Sequence, residues 1–367
     1  MKLVVFSDLH LDSQFSWLGL DSARARRRRQ ALRDTLDRIV QLVQTEGADA
    51  LLCGGDLYET ARFTPDTVRF VSRAFDRLHP VPVFLAPGNH DWLGLQSLYD
   101  QAEWSPNVHV FPEQRLTPFA LDDGITLWGA AHHGPAITVN LLEGFRVDRG
   151  GVNLGLFHGS EQTWFTQQEE GKIPYAPFQA VDIERAGLDH AFLGHFHRPL
   201  DAARHTYPGN PDPLAFGEDG ERAAVLVTVR PDGSIDRARR PVATTACHDL
   251  QIDISNCASQ QEIRELIESR VAGLEGVARI TLHGELGTDV DARAGDFQDL
   301  APHLDGLVVR WGHVRPAYDL EAISVEPTVR GQFVRSVLAA SLAEDAQRRV
   351  LITGLRALDG RDDLEVE

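Results

Sequence analysis

Short, unbroken apolar runs alternate along the chain with longer stretches whose apolar residues recur every three or four positions. Runs at 3–6, 50–53, 83–86, 125–131, 152–158, 191–194 and 223–229 have the length and solid hydrophobicity of strands covered on both faces. Leu32, Leu36, Ile39, Val40 and Val43 fall on one helical face and predict an amphipathic helix over 31–45. A second helix is predicted over 65–78. Strand and helix in alternation predict an α/β layered domain. The turn Arg230-Pro-Asp-Gly-Ser closes the last of these strands.

Near 241–248 the pattern resets. A strand at 250–254, a helix over 260–274, a strand at 278–283, a helix over 297–304 and a strand at 306–311 predict a small β-α-β-α-β module. Two helices follow, one capped by Thr328 and one over 344–358. The expected division is a main domain over 1–240, a smaller domain over 246–325 and a helical tail over 326–367.

Five of the strand runs stop at a residue able to bind a metal or move a proton. The first ends at Asp8, with His10 two positions on, and the second at Asp56 after the paired glycines Gly54 and Gly55. The third delivers Gly88-Asn89-His90-Asp91, the fourth ends at His158, and the fifth ends at His195-Phe-His197. Each alone has a plainer reading as a polar loop start or a packing histidine. Five together point to a site along one edge of a sheet, where open α/β folds place their ligands.

Composition narrows the class. The chain has 367 residues and a net charge of −18, which excludes nucleic-acid binding through bulk positive charge but not through a local basic groove. Cys53, Cys247 and Cys257 are too few and too scattered for a disulfide framework or a zinc knuckle, and Cys53 reads as a packed strand residue. No apolar run is long enough to span a bilayer, the first residues run straight into a strand, and a cytoplasmic location is expected. There is no P-loop.

Asp8, His10, Asp56, Asn89, His158, His195 and His197 supply two carboxylates, an amide and four imidazoles. That mixture suits Mn²⁺, Fe²⁺ or Zn²⁺ better than Ca²⁺ or Mg²⁺ alone; two divalent cations are expected, Mn²⁺ foremost, with Mg²⁺, Fe²⁺ or Zn²⁺ as alternatives. A cation pair can clamp both oxygens of an in-line displacement at phosphorus. His90, not needed as a ligand, is left for proton transfer. His132 and His133 also follow a strand and read as structural or supporting residues. Arg24 and Arg26 to Arg29 form a basic run that is either a contact for an anionic partner or a solvated helix face. Arg198, beside the last histidine, is a candidate phosphate contact. The apolar faces of the tail helices, with Phe333, Val334, Val337, Leu338, Leu351 and Leu355, either dock a partner or pack on their own domain.

The ordered motifs D-x-H, G-D, G-N-H-D, a lone histidine and G-H-x-H resemble those of the calcineurin-like metallophosphoesterases. Within that superfamily, SDLHLDS, GLDHAFLGHFHRP and YPGNPDPLAFGEDGERAAVLV are similar to the SbcD-type DNA repair exonucleases and their archaeal and eukaryotic counterparts. The resemblance implies a four-layer α-β-β-α sandwich with a smaller C-terminal αβ cap that contacts DNA. It implies one metal on Asp8, His10, Asp56 and His197, and a second on Asp56, Asn89, His158 and His195. His90 would be the catalytic acid, oriented by Glu59. It further implies DNA as substrate, an SbcC-like coiled-coil ATPase as partner and a homodimer, for which the helix at 65–78 offers one surface. A phosphatase or cyclic-nucleotide phosphodiesterase on the same site is the alternative.

Overall fold

The computed structural model describes residues 1–15, 22–122, 124–168, 174–218, 220–287, 290 and 292–360. It contains two compact units, Met1–Ala246 and Cys247–Glu367.

The first unit is built on two six-stranded sheets. Its strands are β1 (Lys2–Phe6), β2 (Ala50–Cys53), β3 (Val83–Leu85), β4 (Val108–Val110), β5 (Thr117–Asp122), β6 (Ile125–Gly129), β7 (Val152–His158), β8 (His190–Gly194), β9 (Leu200–Asp201), β10 (His205–Tyr207), β11 (Ala223–Val229) and β12 (Ile235–Pro241). One sheet runs β12-β11-β1-β2-β3-β4 and the other β5-β6-β7-β8-β10-β9. Strands β1 to β4 are mutually parallel, as are β6, β7, β8 and β10. Parallel strands end at the same edge, so the carboxyl ends of β1, β2 and β3 lie in one row and those of β7 and β8 in another.

Alternation along each strand fixes which residues meet. Leu3 and Val5 of β1, Leu52, Phe84, Val225 and Val227 pack against Leu127, Leu154, Leu156 and Phe192 in one buried cluster between the sheets. The opposite face of the second sheet, with Trp128, Phe157, Ala191 and Leu193, is closed by Leu142, Phe178 and Ile183. The expected layered sandwich is therefore the observed one.

The helices of this unit are α1 (Ser22–Glu46), α2 (Pro65–Asp76), α3 (Leu98–Gln101), α4 (Gln162–Gln168) and α5 (Ala180–Ala186). Helix α1 begins well before the predicted 31–45 and takes in the arginine run. Arg26 and Arg27 are exposed, as a solvated face requires, but Arg28 departs from the run and is only 1% exposed. Its guanidinium pairs with Asp212 at 2.9 Å, donates to the carbonyl of Pro213 and to Thr245, and lies 4.9 Å from the centre of the Phe15 ring. Arg is a good helix former, so a stretch without apolar periodicity still continues the helix. Thr64 caps α2 in a reciprocal capping box with Thr67. The outer surface of α2 is charged: Asp66 pairs with Arg33 at 2.6 Å and with Arg69 at 3.7 Å.

The second unit has a three-stranded parallel sheet, β13 (Cys247–Asp253), β14 (Val277–Gly287) and β15 (Gly306–Ala317), in that order. Helix α6 (Gln260–Val271) covers one face with Ile263, Ile267 and Val271. The helix predicted over 297–304 is instead a single 3-10 turn at Ala294–Phe297. Pro302 explains the difference, since it removes a helical hydrogen bond and disfavours helical geometry in the residue before it. Strands β14 and β15 both extend beyond their predicted ends. Helices α7 (Leu320–Ser324), α8 (Val329–Leu338) and α9 (Glu344–Asp359) follow, and Thr328 caps α8 through the backbone N–H of Gly331. The tail residues Val334, Val337, Leu351 and Leu355 are buried together against Phe333, while Leu338 stays exposed.

Replacing Arg28 with Ala leaves Asp212 as an uncompensated buried charge, and about 3–5 kcal/mol of stability should be lost. Urea unfolding of the variant measures this; a loss below about 1 kcal/mol contradicts a structural role for the pair.

Candidate metal centre

The loops after β1 and β2 stay hydrogen-bonded beyond the strands. Asp8 N donates to Gly55 O at 2.9 Å, His10 N to Asp56 O at 2.9 Å, and Leu11 N to Leu57 O at 3.0 Å. This pairing turns the backbone left-handed at Asp8 (φ 55°), His10 (φ 50°) and Asp56 (φ 53°), and His195 stands at φ 111°. Non-glycine residues in such positions cost on the order of 1–3 kcal/mol each and gather at functional sites. Here they bring side chains from successive loops to one point.

His158 stands where the two sheets meet. Its Nδ1 is 2.9 Å from the carbonyl of Gly54, which accepts its proton, and its Nε2 is 2.9 Å from Asn89 Oδ1 and 3.4 Å from Asp56 Oδ2. Glycines make room for the ring. A Cβ on Gly55 (φ 101°) would come within 2.6 Å of His158 Nδ1, and one on Gly88 or Gly194 within 2.7 Å. Gly54 and Gly194 also touch across the two sheets, where a methyl group on Gly194 would run into the Gly54 carbonyl.

Asp56 is the common member. Its Oδ2 lies 3.6 Å from His10 Nε2 as well as 3.4 Å from His158 Nε2, and its Oδ1 accepts the backbone N–H of His90 at 2.8 Å. Burial alone would raise its carboxyl, but the imidazoles of His158, His10 and His90 outweigh burial and hold it well below the usual range. Burial likewise pulls His158 down, yet Asp56, Asp8 and the Gly54 carbonyl bring its pKa up to about 9. Asp8 is wholly buried; its Oδ1 accepts the His195 backbone N–H at 2.9 Å, and Ser7 donates to Oδ2.

Among the described residues, ligand atoms converge in three overlapping groups: Asp8 with His10 and His197, Asp8 with Asp56 and His158, and His10 with Asp56 and His90. Within each, the atoms lie within 4.8 Å of one another. His195 stands beside His158, ring centres 5.3 Å apart, and its backbone binds Asp8. Asn89 reaches the cluster through its contact with His158. Arg198 is exposed immediately after His197. His132 lies behind the site, with Nε2 2.8 Å from the carbonyl of His158, and burial lowers its pKa to about 3. His133 is exposed and reaches the carbonyl of Pro112 at 2.8 Å.

The donor set fits divalent cations. His10 Nε2 is buried with no hydrogen-bond partner among the described residues. Carboxylate, amide and imidazole atoms crowd round it and round His158 Nε2, an arrangement that bound positive charge relieves. Asp8, His10, Asp56 and His197 would hold one ion, and Asp56, Asn89, His158 and His195 the other. The third group shows that His90 also approaches this cluster.

Glu59 has a wider role than the one expected of it. Its Oε2 is 3.1 Å from His90 Nδ1, but its Oε1 is closer still, 2.7 Å, to His10 Nδ1. Burial raises its carboxyl, and the two histidines override that and lower it to about 2. Burial opposes charge on His90, yet Glu59 and Asp56 raise its pKa to about 9. Its side chain is 46% exposed, so it can reach a substrate.

Sequence reasoning gave Asp91 and Glu218 no role. Asp91 is fully buried and accepts from the backbone N–H groups of Asp56 (3.1 Å), Leu57 (2.7 Å) and Gly88 (2.5 Å), and from Tyr99 OH (2.5 Å). It thereby ties the Asp56 loop to the Asn89-His90 loop. Burial and the neighbouring Asp56 raise its pKa to about 6. Its adjacency to Asn89-His90 was visible in the sequence. The Glu218 oxygen Oε1 is 2.7 Å from His197 Nδ1, and only its place in the GED stretch marked it.

The family model for calcineurin-like phosphoesterases matches residues 1–199. The chain belongs to that family. It is a metal-dependent hydrolase acting on phosphoester bonds. The uncharacterized metallophosphoesterase YhaO of Bacillus subtilis (strain 168) is 26% identical over 295 residues, which cover 76% of this chain and 70% of that protein. Among solved structures, TT1561 of Thermus thermophilus is 14% identical, with a TM-score of 0.41 over 65% of this chain and 98% of its own. Yfce, a phosphoesterase from E. coli, is 15% identical, with a TM-score of 0.28 over 65% and 99%. Among the described residues, no helix of this phosphoesterase is long and apolar enough to cross a membrane.

Gly194→Ala should cost about 1–3 kcal/mol, the usual penalty for overpacking, and displace His158. Thermal unfolding together with Mn²⁺ titration tests this; unchanged stability and metal uptake contradict the proposed crowding.

Proposed function

We propose that this phosphoesterase is an SbcD-type DNA nuclease that uses two Mn²⁺ ions and works with an SbcC-like coiled-coil ATPase as a cytoplasmic homodimer. The carrying observation is a metal-ligand cluster with the exposed imidazole of His90 at its edge. When bound, the cations supply Lewis acidity at the phosphoryl oxygens and a nucleophile at neutral pH. His90, with Nδ1 held 3.1 Å from Glu59 and its ring open to solvent, is placed to give a proton to the departing sugar oxygen. Asp56 anchors the backbone of His90 through its N–H, so the acid and the ligand cluster keep a fixed relation. Arg198 is the candidate phosphate contact.

DNA as the substrate class is supported by the motifs shared with SbcD-type enzymes and by a cleft in the second unit. The cleft, of about 610 Å³, lies at a bulge where Gly312 and His313 of β15 stand opposite His283 of β14. Arg310, Arg315, His283, His313 and Trp311 line it. The acid on its rim, Glu285, is paired with Arg348 at 3.4 Å. Guanidinium groups suit phosphates and an indole suits a stacked base. On a chain of net charge −18, this is a local exception in sign and chemistry. The ATPase and the homodimer rest on the resemblance alone.

His90→Asn should keep Mn²⁺ binding by calorimetry and lose about 10²–10⁴-fold in turnover, the usual worth of a general acid. Loss of metal instead identifies His90 as a ligand. With Mn²⁺, linear DNA and a chromogenic phosphodiester should both be cleaved. Cleavage of the small ester with DNA untouched, with and without the ATPase, supports a phosphatase or cyclic-nucleotide phosphodiesterase instead. Trp311→Ala should weaken oligonucleotide binding in chelator about 5–150-fold, since one stacked base is worth about 1–3 kcal/mol. Unchanged anisotropy titrations remove the cleft from the account.

A further inference from the structure

His197 is held on two sides by Gly209, Asn210, Glu218 and Arg222. Its carbonyl accepts from Asn210 N at 3.2 Å and from Arg222 Nη1 at 2.8 Å. Gly209 packs so closely against that carbonyl that a Cβ would lie 2.6 Å from it. On the ring side, Nδ1 faces Glu218 Oε1 at 2.7 Å.

Glu218 is itself fixed. Its Oε2 accepts from Asn210 Nδ2 at 2.6 Å, Leu214 N at 2.7 Å and Ala215 N at 3.3 Å. Asn210 is clamped from its other end, where Oδ1 accepts from Arg222 Nη1 at 2.5 Å and Nδ2 also donates to the Asp212 carbonyl at 2.9 Å. Asp212 in turn carries the buried pair with Arg28 and accepts from Thr35 Oγ1 at 2.9 Å and Thr244 N at 2.7 Å. The segment that presents Glu218 is thus anchored to α1 by a dense polar network.

We infer that Glu218 is a positioning residue that fixes the ring orientation and tautomer of His197 for metal binding. With Nδ1–H donated to the carboxylate, Nε2 keeps its lone pair for a cation, and the carboxylate raises the basicity of that nitrogen. His10 has the same arrangement: Glu59 takes Nδ1, and Nε2 is buried without a partner among the described residues. The inference rests on the reading of Asp8, His10 and His197 as ligands to one cation.

The test is calorimetric titration of chelator-stripped, full-length protein with Mn²⁺ alone. The wild type should take up two equivalents. Glu218→Ala should weaken one of them by about 10–100-fold, the range for lost supporting contacts at metal sites, and leave the other unchanged. Glu218→Gln keeps the shape, but with its amide oxygen held by Asn210, Leu214 and Ala215 it turns its NH2 toward His197 Nδ1, favours the wrong tautomer and should weaken the same equivalent. The metal-free melting temperature should stay close to wild type in Glu218→Gln; if Glu218→Ala does not fold, Glu218→Gln decides. Wild-type affinity for both equivalents in the folded variants overturns the inference, as does equal loss of both equivalents with a lowered melting temperature. A wild type that binds fewer than two equivalents counts against the metal-centre reading instead.

Discussion

Everything at this site depends on how closely the two sheets approach at Gly54 and Gly194. The main chains touch there because neither residue has a side chain. That close approach, with the shared apolar core and the Asp8–His195 bond, brings the carboxyl ends of β1, β2 and β3 together with those of β7 and β8. His158 fills the remaining space, with one nitrogen on the Gly54 carbonyl and the other facing Asn89 and Asp56. Larger residues would part the sheets and separate the ligands of one sheet from those of the other. Packing and chemistry are here one constraint.

Electrostatics sets the second layer of the account. Asp8 and Asp56 are buried, and an isolated ionised carboxylate in such a place is costly. Burial is outweighed in both directions: the imidazoles around Asp56 and Glu59 lower those carboxyls, and the carboxylates around His90 and His158 raise those imidazoles. Glu59 and Glu218 then each hold an Nδ1 and leave the other ring nitrogen to the site. Left-handed backbone at Asp8, His10, Asp56 and His195 is tolerated because each is pinned: Asp8 and His10 by the carbonyls of Gly55 and Asp56, Asp56 by Asp91, and His195 by Asp8.

The sequence made the strand ends legible because residues that meet at one sheet edge must each follow an apolar run, and such runs are visible one by one. The layers followed from periodicity for the same reason. What escaped notice acts over long separations. Arg28 looked like one of a solvated run, and its burial depends on Asp212, 184 residues away. Glu218 stands in a loop without periodicity and reveals itself only through its contact with His197. The mistaken helix over 297–304 came from weighing apolar spacing above Pro302. Of the tail residues that read as a docking face or a self-packed one, Val334, Val337, Leu351 and Leu355 pack together with Phe333, while Leu338 stays exposed.

Crystals soaked in Mn²⁺ and measured at the manganese absorption edge test the central claim most directly. Two anomalous peaks are expected about 3.5–4 Å apart, the spacing of two-metal sites. One should lie against Asp8, His10 and His197, the other against Asn89, His158 and His195, and Asp56 should touch both. A single peak, or two that do not share Asp56, contradicts the claim.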